Sequence, residues 1–218
     1  ESIQLTQKQD VVSIYQKLLD RKIGSKEELK AWLWDRSELE TAMDQAGSVL
    51  YIRMTCQTDD PARAESYTNF IENIVPAIKP LDDQLNRKYA EQAKKFSLDA
   101  AEFAIYDREI EADLALFKEE NVPLQTQVAL LAQEYQTVSG AMTVHFKGIE
   151  HTLPQMSKYL MEPDRKLREE AWRATSQRRM QDKEKFEELF GKMLGLRDTV
   201  AHNAGCKNFI EYQFRAYH

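Results

Sequence analysis

The stretch SKEELKAWLWDRSELETAMDQAGSVLYIRMTC, at positions 25–56, sets the fold class, because it contains no proline and has the pattern of one long helix. Ser25 at its start and Glu28 three residues later predict a capping box that satisfies the first free N–H groups. Its apolar residues recur at helical spacing: Leu29, Trp32, Leu33, Leu39, Met43, Leu50 and Met54. We therefore predict an amphipathic helix that must bury its apolar side.

The helical period extends in both directions from this stretch. Polar residues that commonly cap helices stand before several of the segments: Asp60 before Pro61, Asp99 with Glu102, Asp164, and Asn208 with Glu211. The predicted helices cover 5–22, 25 to about 57, 61 to about 96 with a bend or break near Pro76 and Pro80, 99–120, a segment through Leu131, a short segment after Pro154, 164–203, and the segment from Asn208 onward. Gly205 is expected at the end of the 164–203 helix.

The period changes at TVHFKGIEHT, positions 143–152, where apolar and polar residues alternate about a central Lys-Gly pair. This pattern predicts a β-hairpin with a two-residue turn, in which Val144 lies opposite His151 and His145 opposite Glu150. The predicted apolar face consists of Val144, Phe146, Ile149 and His151. We expect that face to pack on the helical lobe, because an isolated two-stranded ribbon is marginal in water. The fold class is therefore mainly α, with long antiparallel helical hairpins and one small β-hairpin.

Composition and charge exclude several classes of protein. The chain of 218 residues has only 7 glycines and 6 prolines, where average usage gives roughly 15 and 11. Its net charge of −6 argues against a nucleic-acid surface, which requires a basic patch. The densest basic stretch is interleaved with carboxylates and is typical of a solvated helix face with ion pairs; its basic residues are Arg173, Arg178, Arg179, Lys183 and Lys185.

Location is predicted from cysteine usage and from the absence of long apolar runs. Cys56 and Cys206 are far apart and form no C-x-x-C motif, which favours a reducing compartment. No run approaches the ~18 apolar residues that a membrane span needs, and no signal segment opens the chain. We expect a cytoplasmic protein with no membrane partner, although the first residue is Glu1, so a leader could have been removed.

Candidate catalytic and metal-binding residues are few. The four histidines are His145, His151, His202 and His218, and none belongs to an H-E-x-x-H motif. His145 and His151 are predicted on opposite faces of the hairpin, so they cannot share a metal ion. We interpret His151 as a packed residue and His145 as paired with Glu150. The sequence thus indicates no catalytic residue and no metal ligand in this chain.

Other motifs favour structural explanations. Cys206 and His202 could form a thiol–imidazole pair, but no third group orients them, and a free cysteine is usually a small buried residue. Gly191 and Gly195 match a membrane dimer motif only as letters, because charged residues surround them. We interpret Trp32, Trp34 and Trp172 as packing anchors rather than as parts of a ligand site.

Three stretches, taken together, resemble the oligoendopeptidase F family of zinc metallopeptidases, relatives of thimet oligopeptidase. The stretches are WDRSELE at 34–40 with YIRMT at 51–55 and TDDP at 58–61, then VHFKGIEHTLPQ at 144–155 with 164–172, and finally Arg197-Asp198 through Phe214. The resemblance implies that the chain is the N-terminal portion of a longer peptidase. The last aromatic-rich segment, which has no C-cap signal before His218, agrees with a natural protein that continues.

The resemblance also implies a function that this chain does not carry alone. In the family, a later helical domain binds zinc through H-E-x-x-H and a further glutamate, and none of those residues is present here. The implied parts are an N-terminal helical lobe over 1–140, a hairpin and long helix over 141–203, and the start of the catalytic domain over 204–218. They would form a wall of a cleft for short unfolded peptides and pack against the missing catalytic domain, with no cleft residue assigned.

A helical scaffold or adaptor is the alternative function. It would use the 164–203 helix as its interaction surface, which requires sustained heptads. The apolar residues thin out between Trp172 and Phe186, which weakens this alternative.

Overall fold

The computed structural model describes residues 5 and 7–217, and most of them are helical. The helices are α1 (Lys8–Asp20), α2 (Lys26–Cys56), α3 (Pro61–Asn69), α4 (Val75–Phe96), α5 (Ala100–Leu116), α6 (Asn121–Gly140), α7 (Leu153–Leu160), α8 (Arg165–Gln181), α9 (Lys183–Asn203) and α10 (Phe209–Ala216). A π-helical turn, Phe70–Ile74, joins α3 to α4, and the strands β1 (Thr143–Phe146) and β2 (Ile149–Thr152) follow α6. The predicted fold class, mainly α with one small β-hairpin, is confirmed.

Side-chain caps start several of these helices where the sequence predicts them. Ser25 Oγ accepts a hydrogen bond from the Glu28 N–H at 3.1 Å, and Asn208 Oδ1 accepts one from the Glu211 N–H at 2.9 Å. One bond of the predicted capping box differs, because Glu28 Oε2 accepts from the Gly24 N–H at 2.7 Å instead of from Ser25. Local capping therefore accounts for these helix starts without any tertiary contact.

The predicted capping box at Asp99 is half wrong. Asp99 Oδ1 accepts a hydrogen bond from the Ala101 N–H at 2.9 Å, as an N-cap should. Glu102 does not complete the box, because its carboxylate accepts two hydrogen bonds from Lys30 Nζ, at 2.8 and 3.0 Å. An ion pair between α5 and α2 thus replaces the local bond.

The helix bend or break that was predicted near Pro76 and Pro80 is absent, and the irregular part of this helix lies one turn earlier. The chain stays helical through both prolines, and the π-helical turn Phe70–Ile74 precedes them, with the Val75 N–H donating to the Phe70 carbonyl. Pro76 and Pro80 lack the N–H groups that regular α-helical hydrogen bonds require, and the rare π-helical turn lies directly before them. Gly47 of α2 faces this turn closely, since a Cβ there would lie 2.9 Å from a ring carbon of Phe70.

The main core lies in the N-terminal lobe, where α1, α2, α4, α5 and the π-helical turn meet. Trp32 is completely buried there, and its Nε1 donates to the Leu18 carbonyl at 2.9 Å. Lys88 Nζ donates to the carbonyls of Leu18, Leu19 and Arg21, at 3.0, 2.8 and 2.5 Å. A lysine from α4 thereby satisfies the free carbonyls at the end of α1.

The hairpin has the predicted register, with Val144 opposite His151 and His145 opposite Glu150. Its turn residues, Lys147 and Gly148, have φ values of 52° and 80°, as a type I′ turn requires. Its apolar face covers α7 and α8, so the expectation that it packs on the N-terminal lobe is corrected. These two helices follow the hairpin directly and present Met156 and Ala171 to it.

Two details of the hairpin differ from the prediction. Ile149, assigned to the buried face, is 60% exposed because it stands at the turn, beyond the reach of the covering helices. Glu150 Oε1 accepts a hydrogen bond from Thr143 Oγ1 at 2.7 Å, instead of the predicted pairing with His145.

The predicted 164–203 helix is interrupted at Asp182, which separates α8 from α9 with φ −100° and ψ 13°. Arg178 forms an ion pair with Asp182 at this point. The interruption falls in the polar segment between Trp172 and Phe186, where the sequence has few apolar residues. This segment therefore contains the boundary between two helices that pack on different neighbours. α8 packs on the hairpin and α7, and α9 packs mainly on α6.

The end of α9 follows the predicted glycine signal. Gly205 has φ 74°, its N–H donates to the His202 carbonyl, and the Cys206 N–H donates to the Ala201 carbonyl. These two bonds define a Schellman motif. Helix α10 then packs on α9 and α5 while Phe214 and Tyr217 stay exposed. The predicted division of the chain into a helical lobe (1–140), a hairpin and long helix (141–203) and the start of a further domain (204–218) stays a prediction.

Candidate functional site

The three histidines that the structure describes do not converge. His145 is exposed on β1, His202 Nδ1 lies 3.3 Å from Asp198 Oδ2 on α9, and His218 lies outside the described residues. His151 is buried as predicted, with its Nε2 3.2 Å from the Tyr159 hydroxyl. In residues 5 and 7–217, no three His, Cys, Asp or Glu side chains are grouped so that they could hold a metal ion. The described residues therefore do not fit a catalytic zinc ion. The absence of any catalytic or metal-ligating residue from the whole chain stays a prediction.

The remaining candidate residues are structural or exposed. Cys206 is buried and Cys56 exposed, and both are free thiols. Of the three tryptophans predicted as packing anchors, only Trp32 is one, because Trp34 and Trp172 are 69% and 57% exposed. The ion pairs predicted along the basic stretch are present: Arg173 with Glu169, Arg178 with Asp182, and Lys183 with Glu187.

The structure instead shows a cleft inside the helical lobe. It has a volume of about 690 Å³ and lies between α2, α4, α5 and the start of α6, with α10 on one side. Tyr106 and Glu109 of α5 face it, as do Asn121 and Tyr212. We call it the lobe cleft. Its volume is in the range of small-molecule and peptide pockets, ~300–1,000 Å³.

Arg36 is the most unusual residue of the lobe cleft. Its side chain is 5% exposed, its Nε donates to Glu40 Oε1 at 2.7 Å, and its Nη2 donates to Asn86 Oδ1 at 2.5 Å. Its Nη1 is buried and has no hydrogen-bond partner among the described residues. Because leaving a buried donor unpaired costs about 1–3 kcal/mol, an acceptor is expected at this position.

Asp82 lies in the same cluster of charges. Burial raises the pKa of this carboxyl to about 6, against the opposing effect of Lys79 and Arg36. Burial also raises the pKa of the neighbouring Tyr15 well above its ordinary value, and the charge of Asp82 adds to the rise. A carboxyl that titrates near neutral pH inside a cleft is a feature that functional sites share with structural ion-pair networks.

The position of Arg36 in the sequence indicates that its side chain is buried, although the sequence analysis did not identify it. Arg36 follows Trp32 by four residues and precedes Leu39 and Met43 by three and seven, so it lies on the buried stripe of α2. A charged residue on such a stripe needs a buried partner. The partner, Asn86, is 50 positions away and could not be identified from the pattern.

Comparison with known proteins identifies the family. Residues 5–117 match the model of the Peptidase M3 N-terminal domain, which is more than half of the chain. The chain belongs to the peptidase M3 family. The resemblance to oligoendopeptidase F, predicted from 34–61, 144–172 and 197–214, is thereby confirmed at the level of the family.

Solved structures of this family share the fold. PZ peptidase A, solved with an inhibitor, matches 99% of the chain with a TM-score of 0.83 and 22% identity. A chain assigned to oligoendopeptidase F matches 98% with the same score and identity, and one from Bacillus anthracis str. Ames matches 95% with a TM-score of 0.80 and 21% identity. The M3 chain described here spans 38% of the length of each. Among curated proteins, none matches significantly.

Within the described part of the chain, no helix is long and apolar enough to cross a membrane. The fold of the chain places the lobe cleft and the hairpin in different parts of the molecule. The hairpin packs with α7 and α8, whereas the cleft is lined by α2, α4 and α5.

Proposed function

We propose that this chain is the non-catalytic N-terminal part of a zinc-dependent oligoendopeptidase, a parent protein that hydrolyses short unfolded peptides. The observation that carries the proposal is the match to the Peptidase M3 N-terminal domain, together with a fold shared over 99% of the chain with PZ peptidase A. The zinc ligands would lie in the parent outside residues 1–218. The metal would supply a bound water of lowered pKa as the nucleophile.

The helical lobe would form one wall of a peptide channel, and the remainder of the parent would cover its exposed apolar side chains. Large apolar residues are exposed on α9 and α10, namely Phe190, Leu194, Ile210 and Phe214. A cytoplasmic location belongs to the same proposal and is supported by the two free thiols.

The proposal is tested by comparing the isolated chain with the parent that contains it. With an internally quenched peptide as substrate, we expect the parent to cleave, to lose activity with a chelator and to regain it with zinc. The isolated chain should neither cleave the peptide nor bind stoichiometric zinc in metal analysis. Metal-dependent cleavage by the isolated chain, or a parent with no peptidase activity, would overturn the proposal.

The alternative function, a helical scaffold that interacts through 164–203, loses its main support in the structure. The interruption at Asp182 divides that segment into α8 and α9, so it provides no continuous heptad surface. A discrete oligomer in light scattering that is abolished by substitutions along α8 would restore this alternative.

A further inference from the structure

Helix α6 has the composition of a buried helix, but much of it is not buried. Its sequence, NVPLQTQVALLAQEYQTVSG, contains a single charged residue, Glu134, although 30% of the whole chain is charged. Within the described residues, only Asn121 and Val122 of this helix are fully buried. A helix so poor in charge is expected to be covered on more than one side. Because α9 and the N-terminal lobe cover only part of α6, a further side of this helix is left without a partner.

An apolar groove lies on this open side, between α6 and α9. It has a volume of about 540 Å³. Leu130 and Leu131 of α6 form one wall, and Gly191, Gly195 and Leu196 of α9 form the other. We call it the α6–α9 groove. Apolar depressions of this kind mark interaction surfaces, because water gains little from contact with leucine side chains.

The two glycines give the groove its shape. Gly191 and Gly195 lie one turn apart on α9, and a Cβ added at either position would meet no atom of the described residues within 4 Å. The glycines therefore relieve no crowding inside this chain, although each weakens α9 relative to alanine. Two missing side chains one turn apart leave a notch through which another helix can approach α9 closely.

The charges beside the groove are already paired with each other. Lys192, which lines it, forms an ion pair with Glu188 at 2.6 Å, and Lys185 of α9 forms one with Glu134 of α6. A charged occupant would have to break these pairs to gain a partner of its own. The groove therefore favours an uncharged, apolar surface, as the centres of protein interfaces do.

The solved relatives indicate the source of such a surface. The fold is shared with PZ peptidase A over 99% of this chain, but the chain spans 38% of the length of that protein. The greater part of that relative thus has no counterpart in residues 1–218. A parent of similar length would contain enough further chain to cover the groove.

We propose that the α6–α9 groove is the docking site for an amphipathic helix from the remainder of the parent, with its apolar ridge seated on Gly191 and Gly195. The inference rests on the proposed function for the existence of a longer parent. It adds the place of the contact, the chemistry of the occupant and a reason for the two glycines.

The first test measures the accessibility of a cysteine in the groove. Gly195→Cys is introduced into the 218-residue chain and into the parent, and mass spectrometry follows its modification by iodoacetamide, with the urea-unfolded proteins as the fully exposed reference. We expect modification to be at least about tenfold slower in the parent than in the isolated chain. The matched control, Gln177→Cys at an exposed position of α8 outside the groove, should react at similar rates in both. Equal rates for Gly195→Cys, or equal slowing of both cysteines, would overturn the proposal.

A second test fills the groove and predicts opposite signs in the two proteins. In the isolated chain, Gly195→Leu should raise the Tm by about 2–4 °C, because leucine favours a helix more than glycine does and the added Cβ meets no described neighbour. In the parent, the leucine would occupy the space of the docked helix, so the Tm should fall by about 2 °C or more. A rise in both proteins would contradict docking at this position.

A second copy of the parent is the competing occupant, and light scattering distinguishes it. A dimer of the parent that Gly195→Leu dissociates would assign the groove to a second copy and overturn the proposal, whereas an oligomeric state that the variant leaves unchanged supports it. None of these measurements records cleavage. A parent without peptidase activity that still protects Gly195→Cys would contradict the proposed function and support the docking site.

Discussion

The N-terminal lobe and the hairpin unit (β1, β2, α7 and α8) are stabilised in different ways. Among the residues that the structure describes, the lobe has a core of fifteen buried residues drawn from helices distant in sequence, whereas the hairpin unit has three, Val144, Met156 and Ala171. The lobe therefore depends on long-range packing, and the hairpin unit depends more on its turn and its adjacent helices. Substitutions of one chemical kind should have very different effects in the two regions.

The largest contrast is expected between two tryptophans. Trp32→Ala removes a completely buried ring and its hydrogen bond to Leu18, so the free energy of unfolding should fall by about 3–5 kcal/mol. Trp172→Ala, at a 57% exposed position of α8, should change it by less than about 0.5 kcal/mol. Urea denaturation followed by circular dichroism measures both. Similar losses would contradict the division between the two regions.

A second contrast concerns pH. The pKa of Asp82 in the lobe is raised to about 6 from an ordinary 3.8, so its native carboxyl binds a proton more readily than the unfolded one. Its contribution to stability is complete below about pH 4 and is lost as the pH rises through 6. The Asp82→Asn variant carries no charge at this position, so it should not lose this stability as the pH rises. The free energy of unfolding of the variant, relative to that of the wild type, should therefore increase by about 1–2 kcal/mol between pH 4 and pH 7.

Urea denaturation at the two pH values gives this difference. Glu150→Gln, at an exposed position of the hairpin, removes a carboxylate outside the lobe and serves as the control. A wild-type profile that matches the Asp82→Asn profile would show that this carboxyl is solvated like any other.

A smaller effect is expected at the turn of the hairpin. Gly148 has φ 80°, so Gly148→Ala forces a side chain into the left-handed region and should destabilise the hairpin by about 1 kcal/mol. No atom lies close enough to clash with the added Cβ, so the effect is conformational. Hydrogen exchange should show faster exchange in β1 and β2 and unchanged exchange in α2. Faster exchange throughout would mean that the two regions unfold together.

The smallest effect is stabilising. Lys147 also has a positive φ, 52°, and Lys147→Asn places there a residue that tolerates this conformation. We expect the hairpin to gain about 0.3–0.5 kcal/mol, seen as slower hydrogen exchange in β1 and β2. Slower exchange would confirm that turn geometry limits the stability of this region.

The hairpin is the part of the fold that the sequence predicts best. The alternation of 143–152 and the central Lys-Gly pair are enough for the strands, the turn and the register, because each depends on neighbours within ten positions. The helix starts at Ser25, Asp60, Asp164 and Asn208 are predictable for the same reason, since a capping side chain bonds to N–H groups two or three residues away.

What only the tertiary structure decided involves partners distant in sequence. Glu102 pairs with Lys30 instead of capping its own helix, and Arg36 finds Asn86 within the lobe cleft. The sequence alone determined which segments are helical and which is the hairpin, because those preferences are local. It could not determine the cleft or its charge, because they arise only when α2, α4 and α5 pack together and bring side chains 50 or more positions apart into contact.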